Sequence, residues 1–390
     1  MKKTITILLI FFGAVLSAAE KPEVSFAYDV DFEMKFDNRE FYRSSFTKSM
    51  TIFGARLTPQ VGLAVQESGG AQHRLMAGID LMKDFGASPI SELIAGGKTD
   101  ETLSRLNNLR LFREVTLYYN FRKTVRKTDM EIYAGIFPRR VMEGAYSEVF
   151  FSDSLKFYDN NLEGLLLKFR RPKAYFEVGC DWMGQYGIAR REKFMVFTAG
   201  EGKVLPFMSL GYAGYMLHYA NSVKANGLID NLLLNPYIRF DLGKMTGIQA
   251  LSLRLGWSQA MQRDRAKVGS FVFPFGAEFD QQVQHWNVGV RNKMFFGHDM
   301  MPYYNGIDNA GVKYGPNVYF GDPFYRIHDD GRTGFGFYDR LEVYYEPKIA
   351  DCLALKVSAM FHFHGNGYSG CQQMVGLRFN LQEMLERVKK

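Results

Sequence analysis

Cysteine is almost absent: Cys180, Cys352 and Cys371 are the whole complement of the 390-residue chain. Three is few and odd for an exported protein, so no disulfide framework holds the fold and all three are expected to be unpaired. Long hydrophobic runs are missing after Leu16, because charged side chains interrupt every later apolar stretch. A membrane-spanning helix, which needs about 20 apolar residues, is thereby excluded. The formal net charge of +7 is modest and no basic tract is clustered, which argues against a nucleic-acid partner. The seven histidines include no set with metal-ligand spacing, and no cofactor is expected.

The chain does contain a secretory leader. Met1-Lys2-Lys3, the apolar run Ile5 to Leu16 and Ser17-Ala18-Ala19 have the charge, length and small-residue ending of a signal peptide over 1–19. Removing Lys2 and Lys3 leaves 46 basic against 41 acidic side chains. The mature chain then opens on residues 23–37, where Val24, Phe26, Tyr28, Val30, Phe32, Met34 and Phe36 alternate without a break with polar or small residues. A period of two over that length is a strand with one oily and one wet face. A soluble sandwich also alternates. Aromatic residues on the oily face, Asp29, Asp31 and Glu33 on the wet one, and recurrence of the pattern to the C-terminus favour an all-β transmembrane barrel. Lipid cannot satisfy unpaired backbone groups, so a closed barrel is the remaining way for such a chain to cross a membrane.

Counting alternation and turn residues predicts about sixteen antiparallel strands over residues 20–381, with short periplasmic turns, long extracellular loops and a tail at 382–390. Long loops are expected after residues 85, 138 and 297, with a short helix over Thr99 to Asn108. Pro59 predicts a bulge in the second strand. Strands eight and nine, Phe194 to Ala199 and Leu205 to His218, alternate poorly, which a bulge near Pro206 would explain. Trp286 is expected on the thirteenth strand with Val288 and Val290.

Inward positions supply the candidate site. Arg239, Arg254, Arg291, Arg340, Lys356 and Arg378 form a basic lumen wall, and Asp29, Asp31, Glu33, Glu177 and Asp181 face it as acids. Unpaired, such walls set a transverse field across a water-filled lumen and select polar solutes. Paired, for instance Arg378 with the acids of strand one, the same groups plug it. A sixteen-strand barrel is wide enough for an aqueous path, and an inward-folded loop would narrow it. The loop 298–333 carries Tyr303, Tyr304, Tyr319, Asp322, Phe324 and Tyr325, an aromatic and carboxylate set suited to stacking on and hydrogen-bonding a sugar, or else an ordinary loop packed on itself. His362 and His364 have no identifiable third ligand for a metal. Their segment is similar to the His-x-Ser-Asn stretch of the outer-membrane phospholipases, but His364 stands where the serine would be, which removes the nucleophile.

Asp230-Asn231-Leu232-Leu233-Leu234-Asn235-Pro236-Tyr237, Gln262-Arg263-Asp264-Arg265 and Val318-Tyr319-Phe320-Gly321-Asp322-Pro323-Phe324-Tyr325-Arg326 resemble an uncharacterised porin-like family of outer-membrane barrels of Bacteroidota. The resemblance implies fold and location and assigns no catalytic residue. The expectation is therefore an outer-membrane channel for small polar, anionic or saccharide solutes, not an enzyme, in contact with outer-membrane lipid and lipopolysaccharide. A homo-oligomer is compatible with a barrel of this size. The alternative is a surface-binding barrel with a plugged lumen that works through its outer loops, and an outer-membrane enzyme ranks third, because no nucleophile, base and oxyanion arrangement is complete in the sequence.

Overall fold

The computed structural model describes residues 22–381 apart from 43–46, 48, 86–111, 189, 221, 225–226, 266–268, 310, 328–333 and 366. The leader, the expected helix at 99–108 and the tail at 382–390 lie outside the described residues. Sixteen antiparallel strands close into one barrel. They are β1 (Glu23–Phe41), β2 (Met50–Gln66), β3 (Gln72–Asp84), β4 (Phe112–Val125), β5 (Thr128–Pro138), β6 (Asn161–Arg171), β7 (Ala174–Gly184) and β8 (Lys193–Leu205). The second half comprises β9 (Met208–Tyr219), β10 (Ile229–Asp241), β11 (Ala250–Asp264), β12 (Phe275–His285), β13 (Val288–Gly297), β14 (Gly336–Tyr345), β15 (Leu353–His364) and β16 (Gly367–Asn380). A short segment, Lys348–Ala350, continues β14 past Pro347 and pairs with the same neighbour.

The seam joins β1 to β16, from Asp31↔Asn380 to Phe41↔Gly370. Against β2, in contrast, β1 pairs from its first residue, Glu23↔Gln66. Residues 23–30 therefore overhang the end of β16, the stagger that closing a tilted sheet demands.

Alternation sorts the side chains as expected. On β1, Val24, Phe26 and Tyr28 are exposed outward, while Asp29, Asp31, Lys35 and Asp37 are buried inward. Outward aromatics gather in two bands. Toward the long loops, Trp182 stacks on Phe194 at 5.3 Å, Phe194 on His218 at 4.9 Å, and Phe53 meets Phe85 edge-on at 4.5 Å. Toward the short turns, Phe169 pairs with Phe176 at 6.2 Å and His285 with Trp286 at 4.7 Å. Such girdles mark the two membrane interfaces of an outer-membrane barrel. No helix among the described residues is long and apolar enough to cross a membrane.

Of three local expectations, two are corrected and the irregularity expected near Pro206 is present. Pro59 sits opposite Val30 in an unshifted ladder, so it makes no bulge. Pro206 lies in the hairpin turn between β8 and β9, and the register slips beside it, between Lys203 and Leu205; β8 runs continuously through Gly200 and Gly202, which had masked its alternation. Trp286 belongs to a turn: with Asn287 it takes positive φ values of 49° and 66°, the conformation of a tight two-residue hairpin. Cys180, Cys352 and Cys371 are free.

Candidate functional site in the barrel lumen

Two inward-folded segments fill the lumen. The first, residues 139–160, leaves β5 at Pro138 and returns into β6. It contains a 3-10 turn at Arg139–Val141 and the helix α1, Asp153–Tyr158, whose first turn is capped by Ser152 Oγ accepting from Leu155 N at 3.1 Å. Its attachments run round the wall. Arg140 pairs with Asp29 at 2.8 Å, Lys35 donates to the Asp153 carbonyl at 3.4 Å and Arg39 to Ser154 Oγ at 2.7 Å. Arg139 bridges to Asp181 at 3.3 Å, and Lys168 donates to the Val141 carbonyl at 2.9 Å. Glu177 accepts the backbone N–H groups of Glu143 and Gly144 at 2.7 and 2.8 Å and the Tyr146 hydroxyl at 3.0 Å. On the far side Glu148 receives Arg340 at 2.9 Å and also pairs with Lys293.

The second segment, residues 298–327, descends between β13 and β14 through a short helix, α2 (Gly315–Val318), and a 3-10 turn at Pro323–Tyr325. Asn231 donates to the Val318 carbonyl at 3.1 Å, Gln262 to the Met300 carbonyl at 2.9 Å, and the Tyr319 and Tyr314 hydroxyls to Gln262 and Asp264 at 2.8 and 2.9 Å. The segments also join each other: Ser152 N donates to the Phe320 carbonyl at 2.8 Å and Asp322 N to the Glu148 carbonyl at 2.7 Å. Gly321 makes that contact possible, since a Cβ there would lie 2.2 Å from the Val149 carbonyl oxygen. Phe150, Phe151, Val318, Phe320, Phe324 and Tyr325 are all buried, in an apolar core shared with Phe197, Tyr215, Leu217 and Phe295 of the wall. The expected open aqueous path is thus crossed by protein.

Below this plug, on the short-turn half, remains a polar chamber of about 500 Å³. Of the expected basic wall, Arg239, Arg254, Arg291, Arg340 and Lys356 line it; Arg378 sits apart at the seam. Each basic residue is paired, as the plugging alternative required: Arg239 with Glu201, Arg254 with Glu278 at 3.7 Å, Arg291 with Asp280 at 2.8 Å, Lys356 with Glu342 at 2.7 Å and Arg378 with Asp31 at 3.2 Å. The acids expected to oppose this wall from across the lumen mostly serve elsewhere: Asp29, Glu177 and Asp181 hold the first segment, and Glu33 lies partly buried on β1. Alternation in the sequence already places Glu342 and Lys293 inward and Glu148 in a long loop, whereas Glu201, Glu278 and Asp280 escaped the sequence reading. Most of these sit at inward positions by the same alternation, but their pairing needed strand register, and Glu148 needed the fold of a loop.

The aromatic set expected to meet a ligand on an outer loop is largely covered by protein. Tyr319, Phe324 and Tyr325 are 4% exposed, and Tyr303 and Tyr304 pack against the same core. Phe324 stacks on Tyr338 at 5.0 Å and on His362 at 4.6 Å, and Asp322 accepts from Phe324 N at 3.0 Å. His362 is 1% exposed, with its Nδ1 at 3.2 Å from the Tyr338 hydroxyl. Among the described residues no group of three or more metal-ligating side chains occurs.

A closed sixteen-strand barrel with aromatic girdles and an inward-folded plug defines an outer-membrane protein. Its fold is similar to the outer-membrane protein OmpT of Vibrio cholerae, with a TM-score of 0.50 at 9% identity over 93% of this chain and 100% of that one. A variant of the same protein lacking loop L8 gives 0.50 at 9% identity over 92% and 99%. OccD3 of Pseudomonas aeruginosa gives 0.47 at 10% identity over 93% of each chain. At such identities the likeness concerns the fold alone. No curated protein matches the chain. A family model does: residues 20–224, more than half of the chain, match the lipid A 3'-O-deacylase-type family, and the chain belongs to that family. Its being a family of deacylases overturns the expectation that the protein is not an enzyme.

Proposed function

We propose that this barrel is an acyl-ester hydrolase acting on lipid A in the outer leaflet of the outer membrane. The family match carries the reading, because it takes in β1 to β9 together with the first inward segment. Hydrolysis of an O-linked acyl chain adds water across the ester, releasing a fatty acid and leaving a hydroxyl on the sugar. A membrane barrel suits that substrate, since its outer girdle sits at the depth where acyl chains meet the lipid head group. A plugged lumen costs such an enzyme nothing, as lipid A arrives laterally. Lipopolysaccharide is then the partner, as substrate. Purified protein incubated with lipid A in mixed micelles is expected to lower its mass by one acyl chain with release of free fatty acid. Lipid A of unchanged mass after prolonged incubation rejects the reading.

The lumen chamber favours a second reading, passage of small polar, anionic or saccharide solutes when the plug moves. Planar bilayers under a salt gradient test it: anion-selective current reversed by Arg254→Glu with Arg291→Glu supports passage, and a silent membrane counts against it.

A further inference from the structure

Three of the ion pairs round the chamber are not symmetric toward its interior. The side chain of Arg239 is 40% exposed but that of Glu201 only 6%; for Lys356 and Glu342 the values are 39% and 4%, and for Arg291 and Asp280 33% and 18%. In each pair the carboxylate is set back into the wall and the cation leans into the cavity. Formal neutrality therefore hides a surface that a solute meets as positive, with N–H groups still facing solvent. Glu148 already uses this chemistry: a carboxylate delivered by the plug, it docks on Lys293 and Arg340 at the chamber's inner wall. Arg239, Ser252, Gln282 and Lys356 lie close to the short turns, so the cavity faces the periplasmic end. Its volume falls within the range of roughly 300–1,000 Å³ typical of small-molecule sites.

We propose that this chamber is a binding site for a small solute bearing two or more carboxylate or phosphate groups, entering from the periplasmic side and held by Arg239, Arg291 and Lys356. The site is independent of ester hydrolysis at the outer leaflet, so loss of one reading leaves the other standing. Donors already bonded to a buried carboxylate are fixed in direction, and a second oxyanion takes the N–H groups left over, forming a charge-assisted bond without reorienting the side chain. Two or more anionic groups are needed because the three cations come from β10, β13 and β15, on separate stretches of wall.

The test is calorimetric titration of the full-length protein in neutral detergent at low salt with citrate and with inorganic pyrophosphate. Saturable binding of either is expected, and which binds more tightly assigns the oxyanion to the carboxylate or the phosphate class. Arg239→Gln with Lys356→Gln is expected to weaken it at least tenfold. Glu201 also accepts the Tyr237 hydroxyl, at 2.9 Å, a bond that does not depend on Arg239, and an unchanged heat-dependent shift on electrophoresis reports that the barrel of the variant is intact. As a second measure, wild-type affinity should fall steeply with added chloride, a dependence that needs no variant. Failure of both anions to bind, or binding insensitive to the double substitution in an intact barrel and to salt, overturns the proposal.

Discussion

Glu148, a side chain of the first inward segment, meets two cations of the far wall at once, Lys293 and Arg340. Burial pushes its carboxyl upward, but Lys293 and Arg340 outweigh burial and hold it well below the ordinary carboxylate range. The sign follows from linkage. A lowered folded-state value means that the contribution is complete above the unfolded value, about 4.3 for a glutamate, and is lost as pH falls below that toward the folded value. Acid should therefore loosen the plug, and Glu148→Gln should flatten that part of the stability profile measured by urea unfolding between neutral and acidic pH. At neutral pH the same substitution leaves two buried cations without their carboxylate and should cost about 3–5 kcal/mol, the typical loss when one partner of a buried pair is removed. Neither effect was legible beforehand, because Glu148 sits in a stretch with no periodicity. A loop carboxylate becomes a lumen group when Glu177 accepts the N–H groups of Glu143 and Gly144 and turns the chain inward.

At the scale of elements, strands and loops obeyed different rules. Hairpins such as β6–β7, joined through Pro172 and Lys173, could be placed from turn residues and alternation alone, because both are local. Segments 139–160 and 298–327 were legible as long loops able to narrow the lumen, but their joint packing into one plug was not. Their packing depends on pairs far apart in sequence, such as Arg340 with Glu148 and Asn231 with Val318. Replacing residues 142–158 by a short Gly-Ser linker should turn a nearly silent barrel into a conducting one, read as a severalfold rise in single-channel current across a planar bilayer. An equally low current before and after would mean that the second segment closes the lumen without help.

The whole molecule is a cylinder with lipid outside and protein inside. Leu165, at the middle of β6, is 42% exposed on the outer face. Leu165→Lys is expected to cost about 2–4 kcal/mol, as cations do at the midplane of such barrels. Heat-modifiability and unfolding in lipid vesicles measure it, and a neutral result would mean that this face does not meet lipid. The sequence by itself determined that face, the strand order and the position in the membrane, because a period of two leaves a side chain only two directions and lipid leaves the backbone only a closed sheet. Tertiary structure alone decided whether the lumen is a path or a packed core, and which acid answers which base. Those outcomes depend on register across sixteen strands and on two loops meeting inside them, and no local pattern encodes a meeting between residues so distant along the chain.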